Sequence, residues 1–257
     1  NPGDFPALPN PGADQTLDID TADLQEMVET TLYAVSTDDK KPAHTGELFA
    51  IEPEKLTVVA LDGYRLAIIE KPVKATKDIS IIIPAKTLSE VVKLFGEEDG
   101  VVHVAANRRF VVFSNAKYTV ISRLIEGEFL DYRNAIPRNN PISILVDTKA
   151  MLNSLDRVSV VISEKLKSPV HCIFDADRVY LSAKTGNGEA KDICPVEGDG
   201  QGLEIGFNNR FFMDALRYAP AEKVKMELNT GISPCIMTPV EGEENFLYMV
   251  LPVRLKA

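Results

Sequence analysis

The 257-residue chain lacks tryptophan, has only three histidines, and has no apolar run near the roughly 18 residues that a membrane-spanning helix needs. The histidines are isolated, without a second ligand at metal-binding spacing: they are His44, His103 and His171. A protein metal site needs several such ligands close together. The sequence therefore predicts neither a membrane span nor a metal site.

Cysteine is equally scarce. The three cysteines lie far apart, outside any CxxC motif, each in an apolar, strand-like stretch: they are Cys172, Cys194 and Cys235. A free cysteine in such a stretch behaves as a small hydrophobic residue. This usage favours a reducing compartment, and we expect a cytoplasmic protein.

Motifs for catalysis or cofactor binding are also missing. No serine lies in GxSxG, and no cysteine has a nearby histidine. The Gly-rich stretches 185–189 and 198–202 lack the strand–loop–helix context of a phosphate-binding loop and are predicted turns. Clustered acids at 96–100 and 241–245 lie in Gly-rich turns, where solvation explains them. We predict no catalytic residues and no cofactor.

What the chain does contain is a repeat. An irregular stretch, residues 130–144, separates two halves whose elements follow the same order, with offsets of 124 to 131 residues. Each half has a helix, three strands, a second helix and three more strands. This indicates an α+β fold of two tandem similar domains, each with a mainly antiparallel sheet and two helices on one face.

The predicted helices share apolar residues at helical spacing and cover residues 19–35, 84–95, 146–162 and 208–219. An Asp-Thr pair stands near the start of the first and third helices, and either residue can cap a helix. The predicted strands are short and rich in β-branched and aromatic residues; they cover residues 47–51, 56–61, 64–69, 101–105, 110–114, 118–124, 170–174, 178–183, 190–194, 224–228, 233–237 and 246–255.

One turn carries unusual neighbours. In "VVALDGYRLAII", residues 58–69, Asp62-Gly63 between two apolar runs predicts a β-hairpin, since glycine tolerates positive φ. The hairpin does not explain Tyr64 and Arg65, a large aromatic ring and a permanent cation beside the turn.

Net charge is −10, which taken alone argues against a nucleic-acid partner. Three of the four helices nevertheless carry two bases and one acid each, with the bases seven or eight residues apart and near one face. These bases are Lys86, Lys93, Lys149, Arg157, Arg210 and Arg217. We interpret them as a strip facing the phosphates of duplex DNA, with solvated helix faces as the alternative. The first helix is acidic and does not fit this pattern.

Four ordered motifs, "LDGYRLAI", "LIEGEFLDYRNAIP", "IGFNNRFFMDALRYA" and "TPVEGEENFLYMVLPVRL", resemble the bacterial DNA polymerase III beta subunit family, the sliding clamps. The resemblance covers the second and third of that family's three domains. It implies clamp domains at residues 16–137 and 138–257, with residues 1–15 as the tail of a first domain.

The resemblance implies a non-catalytic processivity factor of DNA replication. In the family, a homodimeric ring encircles duplex DNA without reading its sequence and tethers the DNA polymerase III alpha subunit, the clamp loader and other partners. Ring closure pairs the first domain of one subunit with the third of the next, so we expect this chain alone to be monomeric.

The resemblance also implies a pocket between the second and third domains for a short partner motif, roughly Gln-Leu-x-Leu-Phe. It places in this pocket Gly63, Tyr64, Arg65, Leu66, Asn208, Phe211, Met249, Val250, Leu251, Pro252, Val253, Arg254 and Leu255. Apolar side chains would hold the peptide's Leu and Phe, and the two arginines would donate to its carbonyls or carboxylates. The alternatives are a protein-only interaction scaffold and an enzyme with a carboxylate site on a duplicated α+β fold.

Overall fold

The computed structural model describes residue 12 and residues 14–96, 100–162, 168–240 and 245–255. Two compact units divide the chain: the first lies within Asn1–Val59 and Glu70–Phe129, the second within Ala60–Ile69 and Leu130–Ala257. The division into residues 1–15, 16–137 and 138–257 stays a prediction, and residues 1–11 and 13 lie outside the described part.

The first unit holds helices α1 (Thr21–Glu29) and α2 (Ala85–Phe95), which pack against each other. Its strands, two of which run on into the second unit, are β1 (Gln15–Asp20), β2 (Gly46–Glu52), β3 (Lys55–Leu61), β4 (Arg65–Pro72), β5 (Lys74–Ala75), β6 (Ile79–Pro84), β7 (Val101–Ala106), β8 (Phe110–Ser114) and β9 (Thr119–Arg123). Antiparallel pairing gives the orders β5-β1-β7-β8-β9 and β3-β2-β6. Helix α2 buries Leu88, Val91 and Phe95, one apolar stripe at helical spacing.

The second unit holds helices α3 (Thr148–Ser159) and α4 (Asn209–Arg217), which also pack together. Its own strands are β10 (Ile142–Asp147), β11 (Val170–Phe174), β12 (Arg178–Thr185), β13 (Gly188–Pro195), β14 (Glu197–Gly198), β15 (Leu203–Phe207), β16 (Lys223–Leu228), β17 (Cys235–Pro239), β18 (Phe246–Val250) and β19 (Pro252–Val253). Antiparallel pairing gives the orders β14-β10-β16-β17-β18-β4 and β13-β12-β11-β15-β19.

The two units repeat one plan, which confirms the predicted duplication. In each, a strand leads into a helix (β1 into α1, β10 into α3), and three strands and a short two-residue strand follow. A further strand then leads into the second helix (β6 into α2, β15 into α4), and three strands follow it, with the two-residue β19 added in the second unit. The pairings match as well: β1 with β7 and β2 with β6 correspond to β10 with β16 and β11 with β15.

The first helix is shorter than predicted. It ends at Glu29, because the hydroxyls of Thr30 and Thr31 donate back to the carbonyls of Glu26 and Met27, at 2.6 and 2.7 Å. Such bonds compete with continued helix. The predicted Asp-Thr cap is present at α3, where the Asp147 carboxylate accepts from the Ala150 N–H at 2.7 Å. At α1, the side chain of the N-cap residue Asp20 makes no capping hydrogen bond.

Strands β1, β6, β10 and β15 were not predicted, although β1 and β10 alternate buried and more exposed residues at period two. The predicted strand 246–255 is divided at Leu251: β18 pairs with β17 and β4, and β19 with β15. None of the helices in the described residues is long and apolar enough to cross a membrane.

Candidate functional site

The Asp-Gly turn is a hairpin tip that the Asp62 carboxylate organises. Gly63 has φ of +92°, a conformation that side chains with a Cβ rarely adopt. Asp62 Oδ1 accepts from the backbone N–H groups of Tyr64 and Arg65, at 2.8 and 3.0 Å. The turn is therefore fixed by its own side chain, and the two residues that follow it leave in defined directions.

Arg65 points into the protein, with 7% of its side chain exposed. Its Nε donates to Asp62 Oδ2 at 3.0 Å, and its NH1 donates to Asp214 Oδ2 at 2.7 Å. Its guanidinium carbon also lies 4.4 Å from the centre of the Phe211 ring, at cation–π distance. A buried arginine is thus held between two carboxylates and one aromatic face.

Tyr64 points the other way and is 64% exposed. Its ring stacks on Phe211, with centroids 6.1 Å apart and planes 26° apart. Phe211 lies in the first turn of α4, where Asn208 caps the helix by accepting from the Phe211 N–H at 3.3 Å. The cap and the stack together fix where this aromatic pair faces solvent.

The C-terminal segment joins the same cluster. The Leu251 N–H donates to the Tyr64 carbonyl at 2.9 Å, at the point where β18 ends. Val253 pairs with Gly206 of β15, and a Cβ on Gly206 would meet the Leu255 side chain at 2.7 Å. Glycine at this position lets the terminal segment lie close against the strand.

All thirteen residues predicted for the partner site lie in the second unit. In the pairing of β4 with β18, Leu66 lies opposite Met249 and Arg65 lies opposite Val250. All four residues are buried. Leu251, Pro252 and Val253 are half-buried, and Arg254 and Leu255 are exposed. The side chains available at the surface are therefore those of Tyr64, Phe211 and the segment after Val250.

Two residues of this cluster were missed by sequence reasoning, Asp62 and Asp214. Asp62 was assigned only to the turn, and Asp214 was counted as an ordinary helix acid. A signal existed for Asp214: it lies between Met213 and Ala215 in the buried stretch Phe212–Leu216. An acid is almost never buried without a partner, so this position indicated a buried cation nearby.

The six predicted DNA-facing bases are all exposed, but three of them lie within 3.4 Å of an acid. Lys93 contacts Glu90 at 2.9 Å, Arg157 donates to Asp192 at 2.7 Å, and Arg217 lies 3.4 Å from Asp214. Among the described residues, Lys86 and Lys149 have no ion pair, and Arg210, with its side chain 80% exposed, lies only at 3.9 Å from Asp214. The free positive charge of the predicted strip is thus concentrated at Lys86, Lys149 and Arg210.

Asp192 is a strong partner for Arg157. Burial alone would raise the pKa of Asp192, but the Ile193 N–H, Arg157 and Ser154 hydrogen-bond to its carboxylate, and the net effect is a lowered pKa. The acidic helix α1 shows the reverse arrangement. There Lys71 reaches both Asp23 and Glu26, and these contacts raise the pKa of Lys71 although burial alone would lower it. Two acids of α1 therefore share one cation of the first unit.

Little in the described residues suggests other chemistry. No group of three or more His, Cys, Asp or Glu side chains in this part of the chain could hold a metal ion. Cys172, Cys194 and Cys235 are buried free thiols, as predicted, and burial raises the pKa of each. His103 lies on a sheet surface with its Nδ1 2.6 Å from Asp18.

Two protein-family models match the chain. Residues 18–131 match the central domain of the DNA polymerase III beta subunit, and residues 133–254 match its C-terminal domain. Together the matches cover most of the sequence, and the motifs that carried the resemblance lie within them, apart from Tyr132 and the final Leu255.

Relatives and solved structures agree. The beta sliding clamp of Synechocystis sp. is 30% identical over 275 residues, covering 98% of this chain and 68% of the relative. That of Staphylococcus aureus (strain Mu50) is 29% identical, covering 99% and 68%. The crystal structure of the DNA polymerase III beta subunit from Thermotoga maritima has a TM-score of 0.91 and 29% identity, covering 98% of this chain and 69% of that one. The sliding clamp from Pseudomonas aeruginosa bound to griselimycin has a TM-score of 0.92 and 25% identity, with the same coverage.

These matches confirm the resemblance, the fold class and the function that the sequence predicted. The relatives are sliding clamps, which are non-enzymatic accessory proteins. The chain therefore belongs to the DNA polymerase III beta subunit family, the sliding clamps that act as processivity factors in DNA replication.

Proposed function

We propose that the second unit binds short linear motifs of partner proteins at Gly63–Leu66, Asn208, Phe211 and Met249–Leu255. The partners in this proposal are the DNA polymerase III alpha subunit, the clamp loader and other clamp-motif proteins. One observation carries it. Three segments far apart in sequence meet at Tyr64, whose ring stacks on Phe211 and whose carbonyl accepts from Leu251.

The chemistry of this surface suits an apolar peptide. The exposed Tyr64 ring, the half-buried Phe211 and the half-buried segment 251–253 offer apolar area to leucine and phenylalanine anchors. Arg254 is exposed beside them and supplies donors for a peptide carbonyl or carboxylate. Binding at such a site depends on a few anchors, so one exposed ring has a measurable effect.

The proposal extends to DNA and to assembly. Lys86, Lys93, Lys149, Arg157, Arg210 and Arg217 face duplex DNA in a homodimeric ring, through contacts with phosphates that carry no sequence information. Their partial pairing with Glu90, Asp192 and Asp214 supports weak, exchangeable contacts. Strand β13 is an edge strand of its sheet, and its Ile193 side chain is exposed. Such an edge suits pairing with a strand of a second subunit. The clamp domains are residues 16–137 and 138–257, without catalytic residues of their own.

The test is fluorescence anisotropy of a labelled Gln-Leu-Ser-Leu-Phe peptide with the chain, a scrambled peptide serving as reference. We expect micromolar binding, and Tyr64→Ala should raise the Kd about tenfold, a typical effect for an aromatic anchor. Tyr118→Ala, which removes an exposed tyrosine of the first unit, is the matched control and should leave the Kd unchanged. If the folded chain does not bind the peptide at about 1 mM, the proposed site is wrong.

A further inference from the structure

Arg65 was expected to offer its charge to a bound peptide, but its surroundings indicate another role. Its Nε and NH1 both donate to carboxylates of the second unit, Asp62 and Asp214, whose side chains are 12% and 13% exposed. Buried N–H···O bonds between charged groups are short and directional. Arg65 therefore ties the hairpin tip to a helix, across 149 residues of sequence.

Asp214 is the residue of α4 to which Arg65 is bound. It lies one turn after Phe211 on α4, so its carboxylate and the Phe211 ring point to the same side of the helix. Arg65 contacts both: NH1 lies 2.7 Å from Asp214 Oδ2, and the guanidinium carbon lies 4.4 Å from the centre of the Phe211 ring. One arginine is thus oriented by two groups of one helix face.

The position of Tyr64 depends on this arrangement. Tyr64 precedes Arg65, and Asp62 binds the backbone N–H groups of both. With Arg65 fixed on α4, the Tyr64 ring lies on Phe211 and its carbonyl meets the Leu251 N–H. Without that anchor, Tyr64, which is 64% exposed, would keep its two backbone hydrogen bonds, but among these contacts only the stack on Phe211 would join it to α4.

We propose that Asp214 is the positioning residue of the partner site. Through Arg65 it holds Tyr64 against Phe211 and so shapes the apolar surface that receives the peptide. Asp214 itself does not contact the peptide, and Arg65 acts inward as a structural cation. This inference rests on the proposed function, because it assigns Asp214 a role in partner binding. The effect of Asp214 on the position of residue 64 can be tested without a peptide.

The chain lacks tryptophan, so Tyr64→Trp introduces a single indole reporter at the site. In that background we expect Asp214→Asn to raise the acrylamide quenching constant of the indole about twofold. The matched control is Asp156→Asn, which removes the exposed acid of α3 and should leave quenching unchanged. Unchanged quenching with Asp214→Asn would overturn the proposal, whether or not the peptide binds.

The second measurement is the peptide Kd in the chain without the reporter. Asp214→Asn should raise the Kd about tenfold. The double variant with Arg65→Gln should have a Kd no higher than that of the weaker-binding single variant, because both changes remove the same ion pair. Additive losses would show that Asp214 acts independently of Arg65 and would contradict the proposal. Circular dichroism and thermal melting confirm that each variant is folded. Should Asp214→Asn not fold, Asp214→Glu replaces it, with smaller effects in the same directions.

Discussion

Among the described residues each unit buries one acid, Glu47 in the first and Asp214 in the second, and the two acids are accommodated in different ways. Asp214 in the second unit meets the guanidinium of Arg65 at 2.7 Å and that of Arg217 at 3.4 Å. Glu47 in the first unit is completely buried on β2, and its Oε1 lies 2.9 Å from the Thr31 hydroxyl. Its Oε2 has no hydrogen-bond partner among the described residues.

The hydrogen-bond pattern shows how Glu47 is accommodated. The Thr31 hydroxyl has one proton and lies 2.7 Å from the Met27 carbonyl as well as 2.9 Å from Glu47. The Thr31 hydroxyl donates to both oxygens, so its one proton is shared between the Met27 carbonyl and Glu47 Oε1. Burial raises the pKa of Glu47 well above its ordinary value, against the opposing effect of the Thr31 hydrogen bond. Glu47 is thus accommodated by burial that raises its pKa and favours its neutral form, whereas Asp214 lies beside arginines.

This difference distinguishes an acid buried in packing from one that belongs to the proposed partner site. A buried acid in its neutral form, which the raised pKa of Glu47 favours, needs only its immediate neighbours. A buried acid that keeps its charge needs a cation from elsewhere in the chain, and bringing Arg65 to Asp214 also brings Tyr64 to Phe211. The ion pair between these distant segments therefore lies where Tyr64 and Phe211 come together.

The largest expected effect comes from removing the cation. Arg65→Met leaves Asp62 and Asp214 buried without their arginine, and breaking a buried pair in this way costs about 3 kcal/mol of unfolding free energy. Urea denaturation at pH 7 measures the loss. Arg108→Met, at an exposed arginine of the first unit, is the control and should change stability by less than about 0.5 kcal/mol. An Arg65→Met variant as stable as the parent would show that the pair is no better than an apolar contact.

Local patterns were enough to predict most elements of both units. The Asp62-Gly63 hairpin, helices α2, α3 and α4, and the strands around them follow from apolar spacing and turn chemistry over a few residues. The repeat offset then gave the duplication. Helix α1 was predicted too long because Leu32 continued the apolar spacing, while the hydroxyls of Thr30 and Thr31 ended the helix.

The orientation of Arg65 could not be predicted in this way. An arginine beside a turn fits a solvent-facing donor as well as a buried structural cation, and only its distance to Asp214, 149 residues away, decides between them. The same holds for Arg157, which fits a free base on a helix face but donates to Asp192, 35 residues away. Pairing between distant side chains is set by tertiary structure, which no local pattern encodes.

The next effect concerns the proton on Glu47. Its folded-state pKa is raised, so the folded protein binds more protons than the unfolded chain above about pH 4.3, the ordinary value of the group. Stability is therefore lost as the pH rises from there to the raised pKa, by about 1.4 kcal/mol per pH unit. Glu47→Gln cannot titrate and should make melting temperature less dependent on pH between 4 and 8. Glu54→Gln, at an exposed acid of the first unit, should keep the parent's slope. An unchanged slope with Glu47→Gln would mean that Glu47 is charged in the folded protein.

The smallest effect tests how far Asp214 depends on its second cation. Arg217 is 52% exposed and 3.4 Å from Asp214, so solvent and salt screen the pair, and Arg217→Gln should cost about 0.5 kcal/mol or less. Urea denaturation at low and high salt distinguishes the two arginines, because the cost of Arg217→Gln should vanish in about 0.5 M NaCl while that of Arg65→Met remains. A salt-independent loss as large as that of Arg65→Met would place Arg217 in the buried cluster. The charge of Asp214 would then depend on the helix surface as much as on the hairpin, and a phosphate that competes for Arg217 would weaken the hold on Arg65.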